Sequence, residues 1–313
     1  MAPGKDLWRR VFSGPALFPQ PDTWLEEAAT TPDLLPWQNL VLLFVGGVRN
    51  GHERIVLIRL PKHRLGDANA LANYPTALVV DVGSPGDFDG EHITDPASVE
   101  VNGKIFLYYS ALGAGPDCVG LAISSDGVVF EKWDRPVLIG RAPEVVWAKG
   151  CFYLFYVLET SSGGYAVHLA TSADGHHFAP VSEAPVFAPD TPGAWDGYSV
   201  TTPRIFEHRG VFYMVYAGDN RTKDLPRAFG LARSHDLQHW DRYPGNPIFR
   251  CGPPGAWDDG AIWFGTVFPH KGMLYLWYEG ASRQAIQREG PVLSQVGLAV
   301  LPVGEFETLV RGW

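Results

Sequence analysis

The sequence has 313 residues, a formal net charge of −9 and a composition that is 46% hydrophobic and 19% charged. That balance describes a soluble globular chain, and the lack of a basic block argues against nucleic acid or an anionic membrane as the main partner. No apolar run approaches the roughly 18 residues that cross a bilayer.

The opening stretch, MAPGKDLWRRVFSG, lacks the apolar centre of a secretory signal. Three scattered cysteines, Cys118, Cys151 and Cys251, form no C-x-x-C pair. Together these features predict reduced thiols and a cytoplasmic location. Eleven Trp, 12 Tyr and 17 Phe stand beside 35 Gly and 26 Pro, which points to many short strands joined by tight turns. The best helical candidate is short: DTWLEEAATTP, residues 22–32.

One phrase then recurs along the chain. WQNLVLLFVGG (37–47), NGKIFLYYSA (102–111), KGCFYLFYVL (149–158), RGVFYMVYAG (209–218) and KGMLYLWYEG (271–280) read as one hairpin. Each leads to a third strand: RIVLIRLPKH, CVGLAISSDG, AVHLATSADG, AFGLARSHDL and QVGLAVLPVG. The Asp126-Gly127 and Asp174-Gly175 steps suit tight turns, because Gly accepts positive φ. A fourth strand follows in RPVLIG, APVFAP and NPIFRC. Four short strands per repeat of about 50 residues define a propeller blade. A single blade cannot cover its own apolar faces, so the blades must stack around an axis.

The expected fold is an all-β, five-bladed β-propeller of four antiparallel strands per blade, forming a single domain over 1–313. The blades are placed near 28–80, 91–139, 140–190, 198–250 and 260–313. The segment VFSGPALF (11–18) resembles PGNPIF (244–249) and is expected to close the ring as the outer strand of blade 5.

Aligning the innermost strands on their prolines sets Thr31, Asp95, Ala142, Thr202 and Phe264 in equivalent places. Two residues on come Asp33, Ala97, Glu144, Arg204 and Thr266. Strand side chains alternate with period two, so both sets are expected on one side, converging at the mouth of the axial channel. Strand interiors are poor in Asp, and clustered carboxylates repel one another. Asp33, Asp95 and Glu144 are therefore the candidate catalytic set, with Arg204 as the counter-charge. Capping of turns, or simple pairing with Arg204, is the structural alternative.

The loops leading into these strands repeat DFDGEH, AWDGYS and AWDDGA. Their Asp89 and Asp196 read as turn residues that bond backbone amides, and Asp258-Asp259 as a similar step. His176-His177, His235 and His239 fall in hairpin turns and read as solvated tips rather than metal ligands. No metal or other cofactor is expected, and no dinucleotide fingerprint or nucleophile elbow appears.

Five four-stranded blades with acids in the order Asp, Asp, Glu resemble the five-bladed glycoside hydrolases and their relatives, families 43, 32, 68 and 130. The SxDGxxF phrases at 125–130 and 173–178 and the DP…NGKIFLYYS phrase carry the resemblance, which spans nearly the whole chain. It implies that Asp33 is general base or nucleophile, that Asp95 orients substrate and tunes the acid, and that Glu144 is the general acid. Asp95 matches best, in an Asp-Pro step, whereas Asp33 and Glu144 follow their prolines. The central His of blade 5 in family 43 has no counterpart in AIWFGTVF.

Glycoside cleavage needs a protonated acid at the leaving oxygen and a carboxylate on the opposite face, and a third carboxylate would keep the acid protonated. The expected partner is a small carbohydrate, held by Thr31, His92, Trp147, Tyr198, Thr202, Arg204, Trp263 and Phe264. Packing between blades is the plainer role for each aromatic. Two alternatives stay open. One is a family 130-type phosphorylase, using Arg141, Arg204 or His92 for phosphate although that family's Asp-Pro-Arg phrase is absent. The other is a non-hydrolytic sugar-binding or repurposed propeller. Substrate identity and oligomeric state are not legible at this level.

Overall fold

A computed structural model describes residues 6–67, 74–289 and 292–313. Residues 68–73 of the blade 1 range, 290–291 of the blade 5 range and 1–5 lie outside the described residues. Five antiparallel sheets give an all-β, five-bladed β-propeller. Their innermost strands are Ala28–Trp37, His92–Val101, Arg141–Ala148, Ser199–His208 and Ala261–His270. Each turns back into a second strand: Leu40–Arg49, Lys104–Leu112, Cys151–Glu159, Val211–Asp219 and Met273–Ala281.

The turns explain the repeated X-Gly steps. At Asn102-Gly103, Lys149-Gly150, Arg209-Gly210 and Lys271-Gly272 both residues have positive φ, between 46° and 77°. Two consecutive left-handed residues make the hairpin turn whose twist matches the strands it joins. The second of them carries no Cβ to strain. The helical expectation for 22–32 is not met: turns lead directly into the strand from Ala28. Its Ala-Ala-Thr-Thr half is buried throughout, and a surface helix would leave one face in water.

Two compact units make up the chain. One comprises residues 17–158 and 168–185, the other residues 1–16, 159–167 and 186–313. In the first, Phe44, Leu57, Ile105, Leu107 and Tyr109 form one buried cluster, and Tyr108, Leu121, Phe152 and Leu154 another. In the second, Trp8, Val215, Phe229, Leu276, Tyr278 and Phe306 share a single cluster.

Within the second unit the N-terminal segment completes blade 5. Arg9–Arg10 pairs with Gln295–Pro302, and backbone bonds continue through Val11 N–H and Ala16 N–H to the same strand. The strand thus begins two residues before the expected 11–18. Arg10 donates from Nε and Nη2 to Asp258 Oδ2 at 2.9 and 2.7 Å, and Tyr278 Oη donates to the same oxygen at 2.9 Å. Blade 4 repeats this arrangement with Arg242, Asp196 and Tyr216. In the other unit, blade 2 repeats it with Lys132, Asp89 and Tyr109. The three loop aspartates are accordingly framework residues, each buried against a tyrosine and a cation from an outer strand. Arg10 occupies the place of Lys132 and Arg242, which explains why a distant segment fits as the last strand.

Candidate active site

Thr31, Asp95, Ala142, Thr202 and Phe264 all adopt positive φ, between 22° and 55°. In every innermost strand the pairing register shifts at this place, between 30 and 33, 94 and 97, 141 and 144, 201 and 204, and 263 and 266. Two residues there oppose one on the second strand, which is a β-bulge. Proline occupies the second bulge position in four blades and Gly265 in the fifth. Proline suits the site because it needs no ladder donor. The alignment on proline is therefore structurally real. The inference of a common face is not, because a bulge interrupts strict two-residue alternation.

The consequence is visible in the first unit. Asp95, at the bulge, accepts from Ser110 Oγ on the second strand of its own blade at 2.7 Å, and from Thr31 Oγ1 of blade 1 at 3.3 Å. Ser110 Oγ in turn accepts from Ala142 N–H at 2.8 Å. The three bulges of this unit are thereby linked through one carboxylate and one serine. Asp33, past its bulge, instead accepts from Ser98 N–H at 2.9 Å and Ser98 Oγ at 2.5 Å on the neighbouring innermost strand. Asp33, Asp95 and Glu144 are 5%, 4% and 7% exposed, so all three carboxylates are buried within one unit.

His92 begins the blade 2 strand, half-buried, and accepts from Glu53 N–H through Nδ1 at 3.2 Å. An accepting Nδ1 places the ring proton on Nε2. Burial, and then the neighbouring His52, lower its pKa. Trp147 lies toward the far end of the blade 3 strand, edge-on to Phe152 at 4.7 Å and packed with the second cluster.

The remaining predicted residues belong to the second unit. Arg204 is buried, with its guanidinium 4.9 Å from the centre of the Phe264 ring. Thr202 Oγ1 accepts from Phe264 N–H at 3.3 Å, so these two bulge residues are coupled as Thr31 and Asp95 are. Trp263 Nε1 donates to Asp224 O at 3.0 Å. Tyr198 is half-buried just before its strand, its N–H bonded to Asp219 O. A cavity of about 190 Å³ in this unit is lined by Arg221, Arg227 and Arg283 together with Asp219, Leu225 and Ile286.

Sequence reasoning missed Glu53. It is the second residue of the third strand of blade 1, His52–Pro61, half-buried, and its Oε1 accepts from Thr30 Oγ1 and, at 2.8 Å, from Thr94 Oγ1. Gly46 makes the room: a Cβ there would sit 2.2 Å from Glu53 Oε1 and 2.0 Å from Thr30 Oγ1. The paired position in blade 2 is Ser110. The substitution of glycine for serine at equivalent places was the available signal. Among the described residues no group of three or more His, Cys, Asp or Glu side chains is placed to hold a metal ion. No described helix is long and apolar enough to cross a membrane.

The five-bladed propeller fold is shared with solved structures that include glycoside hydrolases. A glycosyl hydrolase from Bacteroides ovatus superposes with a TM-score of 0.72 at 16% identity, covering 95% of this chain and 94% of that one. The β-1,2-mannobiose phosphorylase of Listeria innocua, in complex with β-1,2-mannobiose, gives 0.74 at 12% identity over 98% and 99%. No family model matches the sequence. Two uncharacterized Mycobacterium tuberculosis proteins are similar in sequence. Rv1502 is 29% identical over 44% of this chain and 49% of its own length, and MT1551 is 28% identical over 74% and 78%. The match thus spans about half the length of Rv1502.

Proposed function

We propose that this chain is a glycoside hydrolase acting on a small oligosaccharide or glycoside. The observation that carries the proposal is the burial of Asp33, Asp95 and Glu144 on successive innermost strands of one unit. Burying an ionised carboxylate is costly, and buried carboxylates are maintained where their charge or protons are used. In this reading Glu144 is the general acid, Asp33 the base or nucleophile, and Asp95 the residue that orients substrate and tunes the acid. Asp95 suits that part because hydroxyls from two blades fix its carboxylate. Thr31, His92, Trp147, Tyr198, Thr202, Arg204, Trp263 and Phe264 are proposed to bind the sugar, and the protein to work in the cytoplasm.

A second reading is phosphorolysis, with Arg141, Arg204 or His92 engaging phosphate, since guanidinium forks match phosphate oxygens. Turnover of nitrophenyl pyranosides and furanosides, with and without phosphate, separates the two. Hydrolysis is expected without phosphate. Asp33→Asn and Glu144→Gln should each lower kcat by about 10²-fold or more with unchanged circular dichroism. Turnover only with phosphate would favour the second reading. Full activity in both variants would overturn the carboxylate assignment.

A further inference from the structure

The 190 Å³ cavity of the second unit lies between the loop that follows Val211–Asp219 in blade 4 and the short helix Arg283–Gln287 in blade 5. Three guanidiniums line it, those of Arg221, Arg227 and Arg283, and one carboxylate, that of Asp219. Elsewhere in this unit a cation of an outer strand meets a buried carboxylate, as Arg10 meets Asp258 and Arg242 meets Asp196. The cavity arginines are held differently. Arg227 donates from Nη1 to Gly260 O at 2.9 Å and from Nη2 to Asp259 O at 3.2 Å, and Arg283 Nε donates to the same Asp259 O at 3.2 Å. A carbonyl orients a guanidinium but carries no charge to neutralise it. The Arg221 guanidinium has no partner among the described residues, and residues 1–5, 68–73 and 290–291 contain no Asp or Glu.

Both nearby carboxylates are already engaged by backbone amides. Asp219 Oδ1 accepts from Arg221 N–H at 2.6 Å and Thr222 N–H at 2.9 Å. Asp259 accepts from Arg283 N–H at 2.8 Å and Gly255 N–H at 3.0 Å. Asp259 Oδ2 also lies 3.8 Å from Arg283 Nε, too far for a hydrogen bond, and that arginine is 53% exposed, so the pair is weak. Three positive charges against two negative ones leave a local positive excess in a chain whose net charge is −9. We infer that this cavity binds an anionic group, a carboxylate or a phosphate, carried on a sugar.

Guanidinium forks match the paired oxygens of either group. The site is preorganised: Arg227 is fixed by its two carbonyls, and Thr222 Oγ1 pins the loop by donating to Leu225 O at 3.1 Å. All three arginines are exposed, so a ligand can enter from solvent. The volume equals that of about six waters, enough for one charged substituent and part of its ring. Leu225 and Ile286 give the ring an apolar wall. The same loop holds Trp263, whose Nε1 donates to Asp224 O at 3.0 Å, so an indole proposed to bind sugar is tied to the loop that carries Arg221 and Arg227. The substrate class that follows is an acidic glycoside. The sugar rests on the glycosidase reading; the anion site does not.

The test is isothermal titration calorimetry of the full chain with glucose, mannose and galactose, each as the neutral sugar, the 6-phosphate and the uronic acid, and with inorganic phosphate. At least one acidic form should bind at least about tenfold more tightly than its neutral parent. Preference for uronic acids identifies a carboxylate as the ligand group, and preference for 6-phosphates a phosphate. Arg221→Gln, which removes no side-chain bond among the described residues, should weaken that binding about tenfold with an unchanged unfolding midpoint, and Arg221→Lys should restore part of it. Arg283→Gln should weaken it as well. Equal binding of acidic and neutral sugars, or acidic-sugar binding unmoved by both glutamine variants, would overturn the inference. So would binding of inorganic phosphate with every acidic sugar excluded. An acidic sugar bound through these arginines, in a protein that turns over no nitrophenyl glycoside, keeps the site and sinks the enzymatic reading. Turnover of neutral glycosides with no acidic sugar bound keeps that reading and sinks the site.

Discussion

Arg10→Ala tests whether the N-terminal segment is held by the same device as the other outer strands. The Asp258 side chain has no solvent exposure, and two of the three hydrogen bonds that its Oδ2 accepts come from Arg10. Removing the guanidinium leaves a buried carboxylate with the Tyr278 hydroxyl, and breaking such a pair costs about 3–5 kcal/mol. Arg10 itself is 24% exposed, so water reaching the gap favours the lower end, about 3 kcal/mol. The guanidinium also lies 4.3 Å from the Phe249 ring centre and bonds Arg250 O, which adds about 1 kcal/mol. A total of about 4 kcal/mol is a large share of the roughly 5–15 kcal/mol typical of a folded domain. Urea unfolding followed by tryptophan fluorescence and far-ultraviolet circular dichroism measures it. Arg242→Ala is the internal control, since Arg242 bonds Asp196 at 3.0 Å and lies 4.0 Å from the Phe187 ring centre. The two losses should agree within about 1 kcal/mol, and the Arg10/Asp258 double-mutant cycle should return a coupling above about 2 kcal/mol. A loss below about 1 kcal/mol for Arg10→Ala would refute the closing role assigned to this pair.

Ser110→Ala should destabilise by about 2–4 kcal/mol, because it removes a buried donor to Asp95 and a buried acceptor for Ala142 N–H at once. Amide exchange at Ala142 should accelerate, and unchanged exchange would contradict that link. Ser98→Ala should cost less, about 1–2 kcal/mol in the same unfolding assay, since Ser98 N–H still reaches Asp33. The lowered pKa of His92 fixes a pH dependence by sign: the unfolded chain binds this proton first as pH falls. Its contribution is therefore complete above about pH 6.5 and declines as pH drops toward the folded-state pKa. His92→Gln should flatten that limb of the unfolding free energy, and an identical limb in the variant would refute the assignment.

The propeller was legible because its signals are local. X-Gly turns, strand-forming runs and Asp turns each act within a few residues, and their recurrence at a fixed period forces stacking. The equivalence of Thr31, Asp95, Ala142, Thr202 and Phe264 was legible for the same reason: proline marks the bulge in four blades, and the fifth falls into line by spacing. What those residues touch was not legible. Period-two counting carried Asp33 and Glu144 onto the face of Asp95, yet the bulge lies within the two residues over which the count was made. The proline used as the ruler is itself part of the irregularity. Asp33 consequently reaches Ser98, while Asp95 reaches Ser110 and Thr31. Glu53 was lost differently. It lies on a third strand, outside the alignment of innermost strands, and its carboxylate fits only because Gly46 lacks a side chain. A missing atom on one strand thus admits a charge from another, a relation that spacing along the chain does not encode.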